Sequence, residues 1–185
     1  MTDWTSELNS MLGAPERPPE ETNDAVLREN ESELGLTFPN DFVEFARRYG
    51  TGEFCTEVYR FSVGSPFFRG WRQGCESWYK NNHYIRGTKT TPAQPRMFPE
   101  PGGLLPFGST DDFYFCWKTA GNPEDWPVVV VWDYKPTGIQ EFPMGFAEFW
   151  VKFLWREFTI VCWPSTWDPA TDVSFQQHPS EKKRR

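Results

Sequence analysis

Two neighbouring carboxylates, Asp111 and Asp112, could in principle do acid–base work or hold a divalent cation. Adjacent side chains on a strand point to opposite faces, so such a pair rarely converges on one atom. A turn ahead of the aromatic run Phe113-Tyr114-Phe115 is the simpler account, and an exposed acidic spot that meets a basic partner suits it better than catalysis. The only histidines are His83 and His178. Neither sits in a motif that would make it a general base or a metal ligand. Of the four cysteines, Cys55, Cys75, Cys116 and Cys162, no two are separated by two residues, so paired zinc spacing is absent. Cys116 lies in an apolar run and reads as a buried free thiol, and the set reads as reduced. No serine occupies a nucleophile elbow and no glycine loop has the phosphate-cradling spacing. The residues therefore predict no catalytic set, no cofactor and no metal site.

Binding remains, and composition bears on what could be bound. The 185 residues suit one domain with a sizeable core. Aromatics make up 18%, including ten Trp, enough for a dense aromatic core with rings left for a binding face. The formal net charge is −7, which speaks against a general nucleic-acid binder and favours basic partners. The charge is uneven. Residues 1–57 carry thirteen acids and four bases, whereas residues 58–108 carry two acids and seven bases. That basic stretch interleaves Arg60, Arg69, Arg72, Lys80, Arg86 and Arg96 with Phe67, Phe68, Trp71, Trp78 and Tyr79, a mixture found on single-strand binding surfaces. Trp71, Cys75, Trp78 and Tyr79 also fall on one helical face, so a core stripe with a solvated basic side explains them more simply. Phe142 to Trp163 is aromatic enough to suggest a membrane span, but Glu148, Lys152, Arg156 and Glu157 make that too costly. No secretory signal is visible at the start, and the cytoplasm is the expected compartment.

The elements follow from local signals. Asn23 or Asp24 caps a helix running to about Leu34, and Gly35 stops it. Pro39, Asn40 and Asp41 open a second helix carrying Phe42, Phe45, Ala46 and Tyr49 at helical spacing, with Arg47 and Arg48 before Gly50. Residues 53–63 read as strand, 70–82 as a short helix and 87–103 as loop. Strands are expected at Leu104–Phe107, Phe113–Trp117 and Val128–Trp132, the last a β-branched run covered on both faces. Lys135 to Gly138 fits a type I turn, so Ile139–Phe142 pairs back antiparallel. A final helix from about Pro143 to Phe158 bears a polar stripe of Glu148, Lys152 and Arg156. The predicted organisation is a lead-in over 1–22, a domain over 23–163 and a polar tail over 164–185.

Two stretches carry an ordered set of motifs. The first is Glu33-Leu34-Gly35-Leu36-Thr37-Phe38-Pro39-Asn40-Asp41-Phe42, with Phe45 and the Tyr49-Gly50 helix end. The second is Gly103-Leu104-Leu105-Pro106-Phe107-Gly108, Asp112, Phe115-Cys116, Val128 to Asp133, and Phe146-Ala147-Glu148-Phe149. Together they resemble the SUKH superfamily of bacterial immunity proteins and the yeast Smi/Knr cell-wall regulator, in order and spacing over about residues 24–155. The resemblance implies a single α+β domain with a central, largely antiparallel sheet flanked by helices. It also implies a non-enzymatic role: bacterial relatives bind protein toxins, often nucleases, and block them.

The expected function is therefore an immunity-type protein of a polymorphic toxin system, neutralising a basic protein toxin by direct binding. Neither direct nucleic-acid contact nor membrane insertion is expected. Acids near predicted strand ends or turns are the expected contacts: Glu53, Glu57, Asp111, Asp112, Glu124, Asp125 and Asp133. A regulatory adaptor of the Smi/Knr type is the alternative, and an undetected hydrolase a more distant one.

Overall fold

The computed structural model describes residues 2–15, 23–54, 59–61, 73, 77, 96–110, 112–132, 138–161, 163–164, 168, 170–171 and 173–177. Among these, three helices precede most of the sheet: α1 (Trp4–Leu12), α2 (Asp24–Leu34) and α3 (Asn40–Tyr49). A hairpin of β1 (Gly52–Phe54) and β2 (Tyr59–Phe61) follows, where the sequence suggests one strand. Then come β3 (Leu104–Ser109), β4 (Phe113–Lys118), β5 (Val128–Trp132), β6 (Gly138–Phe142), helix α4 (Phe146–Leu154) and β7 (Phe175–Gln177). The strands form one sheet in the order β6-β5-β4-β3-β2-β1-β7, and every neighbouring pair is antiparallel.

Local chemistry explains the helix boundaries. The Asn23 side chain accepts from the amides of Ala25 and Val26, and Gly35 ends α2 in the left-handed region at φ 68°. A Cβ there would strain the backbone, which is why glycine sits at this stop. The final helix ends at Leu154, short of the expected Phe158. Arg156 takes φ 60°, which breaks the helix and removes it from the polar stripe. Its guanidinium forks onto Asp168, while Glu148 and Lys152 do pair along the helix at 2.7 Å.

The core lies between the helices and one face of the sheet. Phe113, Phe115 and Trp117 of β4 and Val128, Val130 and Trp132 of β5 face Phe42, Phe45, Phe146, Phe149 and Trp150. The opposite face holds a second apolar cluster of Leu104, Cys116, Val129 and Val131, with Met97 and Tyr114 against it. All five residues of β5 are therefore buried, as a central strand covered on both faces requires. Cys116 is buried.

Two segments that read as peripheral take part in this core. Helix α1 lies inside the expected lead-in, yet its Leu8 is buried among the core residues. Tyr49 donates its hydroxyl to the Gly13 carbonyl at 2.8 Å, tying the end of α1 to α3. Strand β7 lies inside the expected tail and pairs with β1. For α1 the signal was present, since Trp4, Leu8, Met11 and Leu12 fall at helical spacing behind Asp3, whereas Phe175 stands among polar neighbours and acquires its partners only through distant chain. The expected helix over 70–82 and the turn at 135–138 lie outside the described residues, apart from helical Gln73 and Ser77 and the strand residue Gly138.

Candidate functional site

The strand directions sort the expected contact residues into two groups. β1, β3 and β5 run the same way, so Phe54, Ser109 and Trp132 finish at one end of the sheet. Asp112 lies at that end, half-buried, in the link that the Thr110 and Phe113 backbones close with a bond of 2.8 Å. Thr110 Oγ1 accepts from the amides of Asp112 and Phe113 at 3.1 and 2.9 Å, so the turn reading describes this segment. Glu53 is half-buried on β1, opposite Arg60 and Gln176. Glu57, Asp111 and Asp133 lie outside the described residues. Glu124 and Asp125 sit on a short 3-10 turn, Pro123–Asp125, in the β4–β5 connection at the other end of the sheet. Among the described residues, Asp112 thus lies at one end of the sheet and Glu124 and Asp125 at the other.

Glu124 has a structural task as well. Its Oε1 accepts from the backbone amide of Asn40 at 3.0 Å, across 84 residues of sequence. Helix α3 begins at Pro39, which has no capping side chain, so Glu124 supplies the missing acceptor. Glu31 does the same for the preceding turn, accepting from Phe38 N at 2.9 Å. These carboxylates line a cleft of about 340 Å³ between α2 and α3, with an apolar floor of Leu27, Phe38 and Val43. Its far rim holds Asp24, bound to Arg47 at 2.7 Å. Glu31 and Asp24 were not among the sequence candidates. Their shared face on α2, seven residues apart, was the available signal.

One carboxylate is perturbed by its surroundings. Asp41 accepts from its neighbour Phe42 N at 2.7 Å and, from across the fold, from Ala147 N at 2.8 Å. The latter bond caps α4, whose own N-cap, Gly145, has no side chain to offer. Burial pushes the Asp41 carboxyl above its ordinary value, and the two backbone donors pull it partly back. Two amides occupy this group, so its role is to lock α3 onto α4 rather than to move protons. Among the described residues no three His, Cys, Asp or Glu side chains group to hold a metal. No helix among them is long and apolar enough to cross a membrane.

What the geometry offers is surface recognition. Carboxylates held by backbone amides are fixed in place, and fixed charge suits cationic partner groups. The model of the SUKH_6 family, described as SMI1-KNR4 cell-wall, matches residues 24–149, well over half of the chain. The chain belongs to the SUKH family. The match spans α2 through the first turn of α4, so it includes the Glu31 contact within the α2–α3 turn, the Asp41 contact between α3 and α4, and the Glu124 contact between α3 and the β4–β5 connection. No curated protein and no solved structure matches significantly.

Proposed function

We propose that the chain is an immunity-type protein that neutralises a cognate bacterial toxin by binding it directly. The observation that carries this reading is the SUKH match over residues 24–149. The net charge of −7 supports a basic partner, such as a nuclease domain, drawn in by long-range attraction. Work by occlusion needs no catalytic residues, and Glu124 and Asp41 serve here as helix caps. The cytoplasm is the compartment in which such a protein would meet an incoming nuclease. The test is co-expression with the product of the adjacent gene. A stable complex that protects cells is the expected result; neither complex nor protection overturns the proposal.

The family's cell-wall description favours a second reading, a regulatory adaptor. It expects housekeeping neighbours and a captured partner that is harmless when expressed alone. A hydrolase would require a turnover that the double change Asp111→Ala, Asp112→Ala abolishes.

A further inference from the structure

Strand β7 closes the sheet beside β1 with only three residues, pairing Phe175 with Phe54, Gln176 with Glu53 and Gln177 with Gly52. Phe175 is its anchor. The ring lies edge-on to Phe45 with centroids 5.5 Å apart, and 5.4 Å from Tyr49. Gly52 makes the space. A Cβ at that position would stand 2.3 Å from the Gln176 carbonyl oxygen and 2.7 Å from the Phe175 ring. Only glycine therefore lets strand and ring close together. Gln177 finishes the contact, its Nε2 donating to the Tyr49 carbonyl at 2.9 Å.

Among the described residues the same junction is poorly satisfied. Thr51 Oγ1, Ser174 Oγ and Gln177 Oε1 are buried there with no hydrogen-bond partner. Buried polar atoms left this way oppose closure. Among the described residues β7 has three paired positions to set against that, whereas β4 and β5 share five, all buried on the β5 side. Among these residues, β7 fills a shaped slot with few bonds to hold it there.

We propose that β7 is a detachable cover, and that the β1 edge accepts an extended segment of a partner protein in its place. β7 itself defines the chemistry of that segment. It runs antiparallel to β1, sets an aromatic ring opposite Phe54 and an amide side chain opposite Gly52, and points a polar residue outward between them, as exposed Gln176 does. Backbone pairing supplies the adhesion and the ring slot the selectivity. The proposal rests on the reading of this chain as a protein-binding module. Neutralisation through the acidic surface does not itself require it.

The probe is a labelled synthetic peptide copying residues 170–180, titrated into the full-length chain and followed by fluorescence anisotropy. Phe175→Ala in the full chain weakens the built-in competitor, so it binds the peptide at least about tenfold more tightly than the wild type does. Adding Gly52→Val fills the slot and abolishes that binding, as does replacing the peptide's phenylalanine with alanine. Equal affinity of wild type and Phe175→Ala, or binding that survives Gly52→Val, overturns the proposal. Should Phe175→Ala fail to fold, hydrogen exchange on the wild type decides: the β1 amides are expected to exchange faster than those of β4 and β5, and equal protection overturns it. A wild-type dimer that trades β7 between copies also overturns it, since the edge would then serve self-association. A toxin complex whose β1 amides gain no contact keeps the proposed function and refutes strand exchange. Peptide uptake without any toxin complex does the reverse.

Discussion

Asp41 joins two helices through one carboxylate, and its removal should be felt at both ends. Asp41→Ala leaves the Ala147 amide without its acceptor, at an expected cost of about 1–3 kcal/mol in urea denaturation. The pH dependence has a definite sign. Burial raises the folded-state value above the ordinary 3.8, so the folded chain holds this proton more tightly than the unfolded chain. Its favourable contribution is complete below about pH 4 and is lost as pH rises through the folded value. Asp41→Asn removes that dependence, so the wild type should lose stability relative to Asp41→Asn as pH rises through the folded-state value. Glu124 separates structure from recognition. Glu124→Gln keeps the acceptor for Asn40 N and should leave stability unchanged, while Glu124→Ala should cost roughly 1 kcal/mol, as the loss of a cap does. If Glu124 also touches a basic partner, both variants slow association, measured by stopped flow.

Helix α1 is not among the predicted elements, although Asp3 caps it, accepting from Ser6 N at 3.0 Å, and Trp4, Leu8, Met11 and Leu12 give it one apolar face. Its place follows from α4, where Lys152 lies over the Trp4 ring and Trp155 meets Trp4 edge-on. Leu8→Ala should therefore cost about 2–5 kcal/mol, the range for emptying a core site, as read from the urea midpoint. A peripheral lead-in would give a change near zero. Helices α2 and α3 were readable almost to the residue because caps, stops and helical spacing are local. The end of α4 was not. Arg156 leaves the helix to reach Asp168, a partner that periodicity cannot reveal.

At the scale of the whole molecule, the acidic excess acts through distance rather than contact. With a net charge of −7, association with a basic toxin domain should slow as salt rises, because the screening length falls from about 30 Å at 0.01 M to about 8 Å at 0.15 M. A rate that is flat across that range would mean that charge does not steer the encounter. Exposed Glu124 and Asp125 should contribute more to this steering than half-buried Asp41, whose charged form burial disfavours.

The sequence by itself determined the α+β class, the family, the limits of α2 and α3, and the buried run of β5. Each is encoded by neighbours a few residues apart, through capping, helical spacing and β-branched packing. Only the tertiary structure decided that Asp112 lies at one end of the sheet and Glu124 and Asp125 at the other, and that Glu124 and Asp41 serve as caps for distant helices. It also decided that short segments near both ends of the chain complete the core. Those outcomes depend on which backbone amides lie unpaired across 84 or 106 residues, and that becomes defined only when the sheet brings them together.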